Sequence, residues 1–407
     1  MNLENPKKLR PIIEQARLVA ENVFRPISRK YDTAEHAYPK ELDMLAALLD
    51  GMNEGGARAS ANHLSQDDGS ASPAPKSGAS TKNGGNLTGV LGMMELCWGD
   101  VGLALTIPRQ GLGNAAVSAV GTPEQKARFG KSWVAMAITE PSAGSDSAAI
   151  RATARLDGED WVLNGEKIFV TAGERADAVV VWATLDASLG RAAIKSFLVP
   201  KGAPGMKVVR LEKKLGIRAS DTATLVFEDC RIPKENILGS PEIDTKKSFA
   251  GVMKTFDNTR PIVAAMAIGV ARAALDRTRE ILSRGTSALA REERPLGSAT
   301  AADAELHRLE AELEAARLLT MRAAWMADNG IPNSLEASMA KAKAGRVANE
   351  ITLRCVELCG TVGYAEGELL EKWARDSKIL DIFEGTQQIQ MLIVARRLLG
   401  KSSAELR

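Results

Sequence analysis

From Pro6 to Lys30 the apolar residues Leu9, Ile12, Ile13, Ala16, Ala20, Val23 and Phe24 return every three or four positions, the spacing that lines one face of a helix. Glu41 to Leu49 continues that pattern. The stretch GGARASANHLSQDDGSASPAPKSGASTKNGGN then offers little to bury and many turn formers, which predicts a long exposed loop over 51–88. Helical spacing resumes at Leu87 and runs through Leu103 and Ile107 to about Phe129. Between Trp133 and Leu238 the texture changes to short β-branched runs punctuated by Gly, Asp and Pro: WVAMAIT, AIRATARL, DWVLNG, KIFVT, AVVVWATL, IKSFLVP, MKVVRL and TATLVFEDC. After Ile243 the helical period returns over Phe249 to Leu282, Ala302 to Asn329, Leu335 to Gly360 and Gln387 to Leu399, which predicts a bundle. The expected organisation is therefore α+β in three parts: helical over 1–132, β over 133–240 and a four-helix bundle over 241–407.

Composition narrows the function classes. The 407 residues carry a net charge of +2, with basic and acidic residues interspersed, so no nucleic-acid footprint is expected. The four cysteines (Cys97, Cys230, Cys355, Cys359) and three histidines (His36, His63, His307) form no CxxC or HxxxH arrangement, so no metal site is expected. Cys355 and Cys359, one helical turn apart, read as small packing residues in a reducing compartment. No apolar run reaches membrane length and the start has no apolar leader, so a soluble, cytoplasmic protein without a membrane span is the expectation. No glycine fingerprint opens a helix after a strand, and the bundle has no Glu-x-x-His pair, which argues against a Rossmann dinucleotide site and a di-iron centre.

Two stretches carry candidate chemistry. In DIFEGTQQIQ, Glu384 stands between Phe383 and Gly385, with Ile382 and Ile389 close by. If that segment is buried, the charged carboxylate is disfavoured and its pKa rises, which makes a base. The competing structural reading is a helix C-cap with Gly385 in the left-handed position. The second stretch, Ala137 to Asp146 (AITEPSAGSD), leaves a strand as a polar turn, and KIFVT follows with Phe169 two residues before Thr171. Together they offer an aromatic face, a hydroxyl and backbone N–H groups to a flat hydrogen-bonding ring, of which flavin is one.

At these residues the chain resembles the acyl-CoA dehydrogenases, most nearly the medium-chain type. The likeness runs through TEPSAGSD, NGEKIFVTAGERAD, KLGIRASDTATLVFEDCRIPKENILG, FDNTRPIVAA and WARDSKILDIFEGTQQIQMLIVAR, in the family's order. The resemblance implies an N-terminal helical domain, a middle β-barrel and a C-terminal four-helix bundle, with FAD and acyl-CoA between barrel and bundle. It also implies that Glu384 is the catalytic base, removing the α-proton while the β-hydrogen leaves as hydride to FAD, and forming the trans-2-enoyl thioester. The enolate oxygen would be held by the Glu384 backbone N–H and a ribityl hydroxyl. Gly385 would leave room for the thioester. Some members place the base at the position of Thr259, and a threonine cannot serve.

Carried over position by position, the implied FAD contacts are Met136, Ile138, Thr139, Gly144, Ser145, Phe169, Val170, Thr171, Glu357, Cys359, Gly360, Thr361, Thr386 and Gln388. The implied acyl-CoA contacts are Ser145, Asp257, Arg260, Gly385 and Arg396. For Asp257 and Arg260 the structural alternative is a helix N-terminal acid and a solvated ion pair. Phe169 stands where the family usually has Trp, Glu357 where it prefers Gln, and Thr361 where it has a second Gly. The family's Arg-x-x-Phe-Gly segment, which holds the adenosine half of a neighbour's FAD, has no match in RGTSALAREERPLGSATAADAELHRL. The implied partners are acyl-CoA, an electron-transfer flavoprotein as electron acceptor, and either identical chains in a homotetramer or a related chain in a heterotetramer. Two other functional readings stay open: a non-catalytic or FAD-sharing subunit, and an acyl-CoA oxidase.

Overall fold

The computed structural model describes residues 6–54, 83–109, 111–243, 250–284, 300–402 and 405. Helices α1 (Arg10–Val19) and α2 (Arg25–Thr33) run on through one π-type turn, Ala20–Phe24. Pro26 explains the wide turn, since it has no N–H to give a regular helix at that point. Helix α3 (Glu41–Glu54) extends past the periodic residues and α4 begins at Gly85 (Gly85–Gly99), so both ends of the expected 51–88 loop are helical. The remainder of that expectation, residues 55–82, lies outside the described residues, as does 285–299. The start of α4 is capped from another helix: the Asp328 carboxylate accepts from the N–H groups of Gly84, Asn86 and Leu87 at 2.8–3.0 Å. Short helices α5 (Val101–Ala104), α6 (Leu112–Val120) and α7 (Pro123–Phe129) follow, α7 opening on a Thr122/Gln125 capping box.

The middle part is an eight-stranded sheet: β1 (Val134–Ala137), β2 (Thr153–Asp157), β3 (Asp160–Thr171), β4 (Ala178–Thr184), β5 (Ile194–Pro200), β6 (Met206–Leu211), β7 (Thr222–Pro233) and β8 (Ile237–Leu238). The order is β6-β7-β3-β2-β4-β5-β8, with β1 paired to β4 in parallel. Every residue of β4 is buried because its alternating side chains feed two cores. Val179, Val181 and Ala183 join the core with β3, β5 and β7, while Ala178, Val180 and Trp182 meet Val117 and Phe129 of the helices outside. DWVLNG and KIFVT, which read as two strands, form one 12-residue strand; its pairing with β7 slips between Leu163 and Gly165 and again between Lys167 and Val170.

The last part holds α8 (Ala250–Arg284), α9 (Ala301–Asp328), α10 (Ser334–Tyr364), α11 (Leu370–Ser377) and α12 (Gln387–Leu399). One hydrophobic core is common to α8–α11 and to α1–α5, with Val270, Ala271 and Ala274 of α8 alongside Leu91 and Met94 of α4 and Ala344 and Val347 of α10. Close approach is possible because position 269 is glycine: a Cβ there would stand 2.5 Å from the Met94 carbonyl oxygen.

The short α11, absent from the helices expected by periodicity, ties the three parts together. Its Lys372, fully buried, reaches Asp100 at 2.7 Å and Asp376 at 2.5 Å, and Asp376 accepts from the Ile217 N–H at 2.5 Å. Burial alone would lower the Lys372 pKa, but the two carboxylates outweigh it and raise it. Among the described residues no helix is long and apolar enough to cross a membrane.

Candidate active site

After α11 the chain makes a 3-10 turn, Lys378–Asp381, and Thr386 then caps α12 by accepting from the Ile389 N–H. Between them Glu384 (φ +54°) and Gly385 (φ +92°) are both left-handed. A left-handed glutamate costs about 1–2 kcal/mol, so other contacts must hold it. Gln390, fully buried, donates its amide to the carbonyls of Glu384 and Gly385, each at 3.1 Å. Lys341 on α10 donates to the Gly385 carbonyl at 2.7 Å. Gly385 therefore does not close a preceding helix, as the C-cap reading had it; it precedes the next one. At φ +92° position 385 has a backbone conformation that L side chains rarely adopt, and a Cβ there would also lie 2.5 Å from the Gln390 amide nitrogen.

Residue Glu384 is half-buried as a whole, yet its carboxyl is sequestered: Oε2 is out of contact with solvent and has no hydrogen-bond partner among the described residues. Burial raises its pKa above the usual carboxylate range, opposed by a hydrogen bond from Thr259 and by the charges of Lys341 and Arg260. The desolvating neighbours differ from the sequence expectation. Ile382 is 45% exposed and turns away, whereas Phe383 packs on the main core. Enclosure comes from α8, which brings Thr259 and Arg260, and from α10, which brings Lys341. Gly345 lets α10 approach, since a Cβ there would sit 3.0 Å from the Leu380 carbonyl oxygen. Arg260 is buried rather than part of a solvated pair. The side chain of Asp257 lies outside the described residues, although its backbone belongs to α8.

The second cluster forms at the exit of β1. The Glu140 carboxylate accepts from the N–H groups of Arg151 and Ala152 at 2.6 and 2.9 Å and from Lys167 Nζ at 2.7 Å. Lys167 also donates to the Ile138 carbonyl at 2.9 Å, and the Ile168 N–H donates to Thr139. The polar loop is thereby clamped to KIFVT. The buried pair escaped the sequence reading, although Lys167 shares the inward parity of Trp161 and Leu163 on β3, which was the available signal. Immediately after it the bulge places Phe169 at φ +57° and 60% exposed, while Val170 stays in the sheet core.

Met136, Ile138 and Thr139 are half-buried along this edge, and Gly144, Ser145 and Thr171 are exposed. An outward-aimed aromatic beside backbone groups and a hydroxyl suits the flat face and polar edge of a flavin. The two clusters belong to parts of the chain joined at Ile217 and Asp376.

The remaining sequence-derived positions lie on α10 and α12. Gly360 (φ +55°) kinks α10, with Thr361 exposed beside it. Glu357 is exposed and paired with Arg354, which offsets its negative charge. Cys359 is half-buried and Cys355 buried, one helical turn apart, a packing arrangement. On α12, Arg396 and Thr386 are half-buried and Gln388 is exposed.

Comparisons with known proteins identify the family and the overall fold. Residues 135–230 match the model of the acyl-CoA dehydrogenase middle domain, and 249–399 that of the acyl-CoA dehydrogenase C-terminal domain. The bovine mitochondrial short-chain specific acyl-CoA dehydrogenase is 42% identical over 69% of this chain and 67% of its own length. The structure of butyryl-CoA dehydrogenase from Megasphaera elsdenii superposes with a TM-score of 0.83 at 30% identity, covering 98% of this chain and all of that one. A glutaryl-CoA dehydrogenase from Mycobacterium smegmatis in complex with FADH2 gives 0.80 at 25% identity, covering 98% of this chain and 96% of its own. These named relatives include short-chain types, where the sequence motifs pointed toward the medium-chain type.

Proposed function

The chain belongs to the acyl-CoA dehydrogenase family, and from that premise we propose that it dehydrogenates a short-chain acyl-CoA at Cα–Cβ to the trans-2-enoyl-CoA, with Glu384 as base. The observation that carries this reading is the sequestered Glu384 carboxyl, whose Oε2 has no partner among the described residues and whose pKa burial has raised. FAD, when bound, supplies the two-electron acceptor for the β-hydrogen.

The rest of the task falls to this chain's residues. An α-proton of a thioester is a far weaker acid than an ordinary carboxylic acid, so a base with raised pKa narrows the gap in acidity. The unpartnered Oε2 is the atom on which the proton comes to rest. Among the described residues no backbone carbonyl accepts from the Glu384 N–H, which leaves that donor for the developing enolate oxygen. Phe169 and Thr171, with the backbone of Ile138 and Thr139, would hold the flavin ring, and Thr386 and Gln388 would reach it from α12. Arg260 and Arg396, with Asp257, are the groups proposed for the CoA moiety, and Glu357 to Thr361 for a further stretch of FAD.

The electron acceptor proposed is an electron-transfer flavoprotein. Assembly with identical or related chains into a tetramer is supported by apolar side chains left exposed on α10 and α12, among them Leu353, Tyr364, Met391 and Leu398. The native mass of the purified chain, alone and with a co-expressed homologue, separates the two assemblies. The activity is tested by anaerobic titration of the flavin-loaded protein with butyryl-CoA and longer homologues, following the visible spectrum. Bleaching by one of them in wild type, lost in Glu384→Gln, is expected; bleaching that persists in the variant rejects Glu384 as base.

A further inference from the structure

The base loop is fastened at one atom. The Gly385 carbonyl oxygen accepts from both Lys341 Nζ at 2.7 Å and Gln390 Nε2 at 3.1 Å. A fully buried ammonium is an expensive way to satisfy a carbonyl that an amide already reaches. What Lys341 adds beyond a hydrogen bond is charge, and the carboxylate that feels it is Glu384. Among the described residues the charged groups acting on Glu384 are Lys341 from α10 and Arg260 from α8, alongside the neutral Thr259. Lys341 in turn is pulled down to about 8 by burial, with Asp381 and Glu384 opposing and Arg260 reinforcing. Gly345 one turn along α10 brings this helix onto Leu380 and Asp381, so the placement of Lys341 is built into the packing.

We propose that Lys341 is a positioning residue for the base: its ammonium fastens the Gly385 carbonyl, which holds Glu384 in its left-handed turn, and sets a positive charge beside the Glu384 carboxylate. The inference rests on Glu384 being the base. With its pKa pulled down to about 8, Lys341 is half-ionised there and loses its remaining charge as pH rises further, so the support it gives the carboxylate is itself pH-dependent.

The test uses the flavin-loaded full chain with 13C-labelled glutamate carboxyls, the Glu384 resonance being identified by its loss in Glu384→Gln. In the unmutated protein that resonance should show its own titration and a second, smaller inflection near pH 8 as Lys341 loses its proton; a curve without the second inflection overturns the proposal. In Lys341→Gln, which keeps a donor but no charge, and in Lys341→Met, which keeps neither, the midpoint should rise by about one pH unit or more, as expected for loss of a neighbouring opposite charge. The value of kcat/KM at pH 6 should then fall about tenfold, converging on wild type at higher pH. An unmoved midpoint in Lys341→Gln overturns the charge role. If Glu384→Gln itself keeps its turnover, the base assignment fails instead, a different outcome from an inactive Glu384→Gln with unshifted Lys341 variants.

Discussion

The Thr259 hydroxyl on α8 donates a hydrogen bond to the carboxylate of Glu384 in the loop before α12. The two positions that the family resemblance marks for the base are thus neighbours in this protein, and the threonine supports the carboxylate proposed as base. A hydrogen bond to a carboxylate favours its charged form and so lowers its pKa.

Removing that bond should make Glu384 harder to ionise. Thr259→Ala is expected to shift the acidic limb of the kcat/KM profile upward and to reduce kcat/KM several-fold at pH 6, with a smaller effect at pH 8. Stopped-flow rates of flavin reduction across pH 5.5–9 check this. A uniform loss at every pH would point to disturbed packing instead.

Glu384→Gln should cost at least about a hundredfold in turnover, the usual scale of general-base catalysis. It should also stabilise the fold. Burial raises the folded-state pKa above the unfolded value, so the folded chain holds the proton more tightly and stability falls as pH rises from about 4.3 through the folded-state pKa. The amide escapes that loss. Melting temperatures of variant and wild type should therefore differ at pH 7 and converge near pH 4.

Lys167→Met would strand Glu140 as a buried carboxylate without its cation. Breaking one side of such a pair typically costs about 3–5 kcal/mol. Because the pair clamps the β1 exit loop to the Phe169 bulge, the variant should also purify with less flavin per chain. Urea denaturation and the absorbance ratio of flavin to protein measure the two effects.

Asp328→Ala removes the acceptor for three backbone N–H groups at the start of α4. The expected loss is about 1–3 kcal/mol, since cap and buried-donor losses both fall in that range. Thermal denaturation should show it, with kcat unaffected below the transition.

The sequence by itself determined what depends on neighbours within a few residues. Apolar spacing placed α8 to α10 and α12 within a few residues of their ends, alternating β-branched runs located the strands, and the unusual order Phe383-Glu384-Gly385-Thr386 marked the proposed base. Folding decided everything that depends on positions distant along the chain. Ile382 could as well have shielded Glu384, but the loop turns it to solvent and lets α8 and α10 enclose the carboxyl. Lys167 read as a strand lysine until the β1 exit loop came within 2.7 Å of it. Nothing near Gly84 indicated that Asp328 would cap α4, and nothing near Gly385 indicated that Lys341 would hold its carbonyl. Periodicity fixes which face of an element is buried, because that is a property of its own backbone repeat. Which groups meet there, and hence the pKa of a buried carboxylate, is set by distances between elements, which that repeat does not contain.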